Sequence, residues 1–462
     1  MTLPGTESFG THETGDASAL LPWQGHAVLH SLGLSATKRR EDNAPFLPAE
    51  PTTWEETGLS TNEAHSIILR FMMHAGHATG RRIAEQLKLP FGLVHEQLKS
   101  LRSQFYLQYR GTALVGDYEY ELTQQGREFA QESNEHCTYC GAAPVPFATY
   151  VCTIRGQSVR TLKIGMEDLR AAFRDMLVND MTLSQLGQVL SAQKGLFLYG
   201  PSGNGKTSLA SRLLRATRDT IWIPRTITFE GNLIRLFDPS MHQEVADSNT
   251  SELLSHSRTD RRWVQIRRPL VVSHGDLSMS QLDVVFNESR GINEAPLQLK
   301  SNGGILFIDD FGRQRASSVE ILNRFIMPLE HRFDVVALPT GRQIHIPFES
   351  LLVVATNMEP RNLFDEAFLR RLPYKVAVGD PTATEFRELF VRQAQETGVT
   401  FCEESFQLLL KKHYEQKNRP FRFCHARDLL SQVQILCGFH KLPMAMTPDA
   451  IDVAAHNYFA GL

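Results

Sequence analysis

Cysteine is scarce in this chain, with six in 462 residues, so no disulfide framework holds it together. Cys152, Cys402, Cys424 and Cys437 lie in apolar or helical contexts and are expected as small core residues. Cys137 and Cys140 form a single CxxC without a second pair of ligands nearby, too few for a tetrahedral zinc site. No run of eighteen apolar residues occurs, so no membrane-spanning helix is expected. The first residues lack the basic start and apolar stretch of a secretory signal, and a cytoplasmic location is expected. An excess of one charge is also missing. The formal net charge is -3, so any polyanion would have to be met by a local patch.

What is present divides into segments. Residues 1–52, rich in Gly, Thr, Ser, Pro and charge, read as a flexible arm. From Glu63, three short stretches carry helical apolar spacing, at Ile67, Ile68, Phe71 and Met72, then after Thr79, then at Val94, Leu98 and Leu101. YLQYRGT and DYEYELT alternate like a hairpin, and LTQQGREFAQE follows as a helix. Over residues 53–135 this order resembles the winged helix-turn-helix of many bacterial regulators. Between Glu56 and Glu132, however, eight Lys/Arg stand against nine Asp/Glu, and the third helix offers only His95, Lys99 and Arg102. Duplex affinity comes largely from neutralised phosphates, so docking of protein is expected here before DNA reading. Residues 136–165 read as a Pro- and Ala-containing linker ahead of two amphipathic helices.

The strongest signal is GLFLYGPSGNGKTSLASRLLRA. An apolar strand, Leu196 to Tyr199, runs into Gly200, Pro201, Ser202, Gly203, Asn204, Gly205, Lys206, Thr207 and Ser208, and a helix follows. This is G-x-x-x-x-G-K-[ST] in its strand-loop-helix setting: glycines let backbone N–H groups approach phosphates, the lysine reaches the outer phosphates, and the hydroxyl suits Mg²⁺. GGILFIDD supplies a second apolar strand ending in Asp309, expected at Mg²⁺, and Asp310, expected to polarise the attacking water. Aspartate at that second place is one methylene shorter than the usual glutamate.

The order of motifs over residues 165–462 resembles AAA+ ATPases. That resemblance implies an α/β core over 166–380, an αβα layering on a parallel sheet, and a helical lid over 381–462. It implies ATP and Mg²⁺ as ligands and a ring of copies, hexameric, working on a protein client. In LLVVATN, Asn357 takes the first sensor position. DEAFLRRLPYKV offers Arg370 and Arg371 as the finger to a neighbouring copy, and FCHARDLL offers Arg427 as the lid's sensor. FDVVALPTGRQIHIPFE resembles the hairpin that precedes the first sensor, and MSQLDVVFNESRGINEAPLQLK resembles a helix-2 insertion with a pore loop near Phe286 to Ile292, as in MoxR-type and chaperone-like members. The alternative is a DNA-associated ATPase of the helicase-loader, transposition or transcription-regulator type. DRRWVQIRRP, with Arg261, Arg262, Arg267 and Arg268 around Trp263, is expected as an exposed edge or a contact between copies.

Overall fold

The computed structural model describes residues 46–113, 116–245, 259–359 and 370–460. At its centre lie five short strands: β1 (Leu196–Tyr199), β2 (Leu270–Ser273), β3 (Ile305–Ile308), β4 (Leu351–Thr356) and β5 (Tyr374–Ala377). They pair in the order β2-β3-β4-β1-β5, every neighbour parallel. A parallel sheet is covered on both faces, which is why these strands read as near-continuous apolar runs. Their side chains alternate between two cores. Leu196, Leu198, Phe307 and Val353 join one, with Leu209 and Leu213 of the helix Lys206–Arg215. Phe197, Leu306, Ile308 and Val354 join the other, with Ile321 and Phe325 of the helix Ser318–His331.

The C-terminal region is helical: Ala383–Thr397, Glu403–Leu409, Phe423–His440 and Pro448–Tyr458. Its core is aromatic, centred on the fully buried Phe386, whose ring lies 4.6 Å from Phe421 and 5.1 Å from Phe390. Thr382 and Thr447 cap the first and last of these helices through their own side chains.

Towards the N-terminus, helices Thr61–Ala75, Gly80–Leu87 and Phe91–Ser103 precede a hairpin of Leu107–Thr112 and Tyr118–Leu122. His77–Thr79 adds a third antiparallel strand against Tyr118–Leu122. The helix Gln124–His136 closes the group.

Several expectations are corrected. Most of the arm expected over 1–52 lies outside the described residues, but 46–52 is packed. Pro48 O accepts from Asp260 N at 3.0 Å, and the Phe46 ring sits 5.8 Å from Trp263. Residues 136–165 are not a linker. They hold a strand, Val145–Pro146, and a helix, Phe147–Gly156, whose Phe147, Tyr150, Val151 and Ile154 are buried. These residues look like a linker in sequence because Pro and Ala dominate locally, yet their apolar partners lie more than sixty residues away.

Those partners belong to a β-rich insert whose strands lie mostly between β1 and β3, joined by one hairpin between β3 and β4. One sheet runs Val285–Asn287, Ile292–Glu294, Asn232–Arg235, Thr226–Phe229, Val145–Pro146. Thr220–Pro224 pairs with Trp263–Arg267, and Phe333–Ala337 with Gln343–Pro347. The last pair is the hairpin expected around Pro339, Thr340 and Gly341. The stretch expected as a helix-2 insertion forms a hairpin, Val285–Asn287 with Ile292–Glu294, in which Phe286 and the turn residues Glu288 to Arg290 are exposed. Thr138 N donates to Gly291 O at 2.9 Å, and Ile292 is buried in the core of the N-terminal helices.

The basic stretch is not an exposed edge either. Arg262 is 4 % exposed and bonds Asp260, Thr57 O and Pro144 O, while Trp263 and Arg268 are also buried. Only Arg261 and Arg267 of that stretch face solvent, and Arg261 is paired to Glu85 at 2.6 Å. Among the four cysteines expected in the core, Cys437 is buried, Cys402 and Cys424 are half-buried, and Cys152 is exposed.

Candidate nucleotide site

The loop after β1 is shaped by its glycines. Gly200 has φ +143°, and a Cβ there would stand 2.2 Å from Val378 O, so only glycine lets β1 and β5 close at their ends. Gly205, at φ +80°, delivers the chain into the helix Lys206–Arg215, which has no side-chain cap. Its first N–H groups are therefore left for something else to satisfy. With the helix field added, they suit the oxygens of a phosphate chain.

Lys206 is buried, and its Nζ donates to Gly200 O at 3.0 Å and Pro201 O at 3.1 Å, folding the side chain back over the loop. Burial holds this ammonium below its ordinary value, against the upward pull of the Asp309 and Asp310 carboxylates. Pro201 and Ser202 form the outer part of the loop, Ser202 exposed, and Ser208 O accepts from Arg212 within the helix.

The second strand motif meets the loop directly. Thr207 Oγ1 donates to Asp309 Oδ2 at 2.8 Å, across 102 residues of chain. A hydroxyl and a carboxylate facing one another are hard oxygen donors of the kind Mg²⁺ takes alongside phosphates and water. Asp309 is set by Asp309 N donating to Ser273 O and by Gln314 Nε2 donating to Asp309 O, both at 2.8 Å. Asp310 follows at φ +48°, exposed, its N–H donating to Asp309 Oδ1. A left-handed non-glycine residue is held by its surroundings. Here Phe311 N is fixed on Ala355 O at 2.7 Å and Arg313 N on Asp310 O.

Because β4 lies between β1 and β3, Asn357, one residue beyond its end, emerges between the loop and the acidic pair, and it is exposed. Thr356 anchors that end, its hydroxyl donating to Phe311 O and its carbonyl accepting from Gly200 N. Arg370 is exposed, and Arg371 donates to Glu330 Oε1 at 2.6 Å on the helix Ser318–His331. Much of the segment before Arg370 lies outside the described residues. Arg427 stands one turn after Cys424 on the helix Phe423–His440. Its side chain is 70 % exposed and bonded to Asp428.

Sequence reasoning missed what holds the loop from the side of the C-terminal helices. Asn204 is completely buried. Its Nδ2 donates to Asp380 Oδ1 at 2.7 Å and Gly379 O at 3.0 Å, and its Oδ1 accepts from Phe423 N at 3.3 Å. Cys424 N donates to Gly203 O at 3.0 Å, and a Cβ on Gly203 would stand 2.6 Å from Cys424 Sγ. Arg422 forms an ion pair with Asp380. The only signal for these residues in the sequence was proximity to motifs on either side.

Residues 382–457, the helical region, match the family model of a domain of unknown function, DUF8689. No curated protein matches the chain. In structure it is similar to NtrX from Brucella abortus, at 14% identity and a TM-score of 0.38, over 61% of this chain and 56% of that one. A second NtrX structure, in complex with ATP, matches with a TM-score of 0.37 at 14% identity, over 72% of this chain and 64% of that one. The Holliday junction branch migration motor RuvB from Thermotoga maritima matches with a TM-score of 0.34 at 15% identity, over 66% of this chain and 73% of that one. The matches thus span less than two thirds of either NtrX chain, and a likeness this slight carries no function across.

Proposed function

We propose that this chain is an ATP-hydrolysing protein of the AAA+ type, binding nucleotide at Gly200–Ser208 and working as a ring on a protein client. The observation that carries the reading is the Thr207–Asp309 hydrogen bond, which joins the phosphate-loop helix to the acidic strand. Mg²⁺, held by Thr207 and Asp309 with the phosphates, would supply charge neutralisation at the transferring group. The protein's own part follows from its side chains. Lys206 exchanges the carbonyls of Gly200 and Pro201 for phosphate oxygens. The uncapped N–H groups cradle the chain, Asp310 takes up the proton side of the attacking water, and Asn357 orients that water. Exposed Arg370 is the better finger for a neighbouring copy, since Arg371 is engaged by Glu330 within its own chain. Arg427, exposed on the lid helix and paired there with Asp428, is the candidate for the lid's contact with the phosphates.

The test pairs two variants in calorimetry and phosphate release. Lys206→Ala is expected to abolish ATP binding. Asp310→Asn is expected to keep binding while hydrolysis falls by about 10²-fold or more. Equal ATP binding by Lys206→Ala and the native chain would sink the proposal.

A second reading has one observation in its favour. The three helices and hairpin near the N-terminus have the order of a winged helix-turn-helix, and beside the third helix lies an aromatic and basic surface. Arg102 covers the Tyr109 ring at 4.6 Å, Tyr109 stacks on Tyr118 at 4.3 Å, and Phe105 is 73 % exposed. Such a surface suits nucleic-acid bases. DNA retention that weakens along a salt series, and is lost in Arg102→Ala, would establish it. Retention indifferent to salt and to that substitution would dismiss it.

A further inference from the structure

The contacts between the phosphate loop and the lid converge on one ion pair whose purpose the loop alone does not explain. Asp380, in the crossing from β5 to the first lid helix, accepts from Asn204 of the loop and binds Arg422 at the start of the lid helix Phe423–His440. Asn204, gripping Gly379, Asp380 and Phe423 from a fully buried position, is the fixed part of this junction. The Arg422–Asp380 pair is its adjustable part, because both side chains keep access to water, at 23% and 35%. Arg422 also stands over the loop itself. Its Cβ lies 3.9 Å from the place a Cβ on Gly203 would occupy, so its long side chain starts at the loop.

An arginine so placed has two acceptors to choose between: one carboxylate in the crossing after β5, or the oxygens of a phosphate chain on the loop. Guanidinium binds phosphate in the same two-pronged fashion as carboxylate, and a triphosphate offers more charge than a single aspartate. Where Arg427 is the residue the motif order singles out, Arg422 is the one the geometry sets against Gly203.

We propose that Arg422 is a phosphate-contacting residue held in reserve by Asp380, turning from Asp380 to the terminal phosphate when a nucleoside triphosphate occupies the loop. This rests on the reading of Gly200–Thr207 as a nucleotide loop. Asp380 is then a competitor as well as a partner of Asn204, and the exchange couples the occupant of the loop to the set of the lid. A diphosphate, lacking the outermost group, draws Arg422 away less well, so the exchange discriminates ATP from ADP.

The experiment measures ATP and ADP affinity, with Mg²⁺, by calorimetry on the full chain and on Arg422→Ala, Asp380→Asn, the double variant and Lys206→Ala. Asp380→Asn keeps the side-chain oxygen that accepts from Asn204 and removes only the charge that holds Arg422. Arg422→Ala should weaken ATP about tenfold or more, the scale of one charge-assisted contact, and ADP much less. Asp380→Asn should shift affinity in the opposite direction, tightening ATP, and that gain should vanish in the double variant. A junction that merely props up the fold would give losses of the same sign in both single variants, with ATP and ADP affected alike, and that result overturns the proposal. So does an unchanged ATP-to-ADP ratio in Arg422→Ala. If Lys206→Ala alone loses nucleotide, the loop reading stands and only the role of Arg422 falls. If Lys206→Ala binds as the native chain does, both fall together.

Discussion

His425 shows how a single side chain is set by the packing around it. It lies in the lid core with its Nδ1 against the Tyr414 hydroxyl at 2.9 Å, and burial together with the nearby cations Arg422 and Arg419 holds its pKa down to about 4. Asp428 and Asp380 oppose that shift more weakly. The imidazole is neutral in the folded chain over a range in which an unfolded chain takes up a proton. Its contribution to stability is therefore complete above about pH 6.5 and is lost progressively as pH falls toward 4. Melting temperatures recorded over that window should decline more steeply for the native chain than for His425→Phe. Parallel curves would show that other groups set the acid limit.

At the same scale, what the sequence discloses depends on whether the chemistry is local. Gly200 to Thr207 could be read at once, because glycine placement, lysine and hydroxyl all fall within eight residues. Asp309 and Asp310 could be read because an apolar strand runs straight into them. Asp380 and Arg422 could not. Each is an ordinary surface residue in its own stretch, and their meaning comes from an ion pair spanning 42 residues and a loop contact spanning 176.

Among elements, the central strands stand out as apolar runs and the C-terminal helices by their periodicity, whereas the insert, apart from the hairpin around Pro339 to Gly341, does not announce itself. Its strands are two to five residues long and, unlike the equally short central strands, mix polar with apolar residues instead of forming a continuous apolar run. The same mixture explains why DRRWVQIRRP reads as exposed. Alternation places Arg262 and Arg268 on the face of the core, where charge is unexpected, and only the structure reveals their acceptors. Arg262 is a strong test of that arrangement, since it and Asp260 are almost wholly buried, at 4 % and 3 %. Asp260→Ala would leave a buried guanidinium with carbonyl partners only, at a cost of about 3–5 kcal/mol. Urea denaturation should report a loss of that order. A loss below about 1 kcal/mol would mean that Thr57 O and Pro144 O satisfy the charge on their own.

For the whole molecule, the proposed ring makes a prediction that no property of one copy can mimic. A chain carrying Arg370→Ala and Arg371→Ala retains its own Asp310, and a chain carrying Asp310→Asn retains its arginines. Each should be inactive alone. Mixed and shown to co-assemble, they should recover part of the native rate of phosphate release, because some sites then combine an intact Asp310 with a neighbour's intact Arg370 and Arg371. Mixed assemblies without any recovery would place both functions within one copy.

The N-terminal helices share their core with the insert: Leu233 and Ile292 are buried among Ile67, Leu87 and Leu98. Thr228 donates to Glu63 at 2.7 Å across the same seam. A shared interior is inherited whole. The N-terminal helices cannot be exchanged for another module without recutting the insert that faces them, so the two are bound to vary in concert.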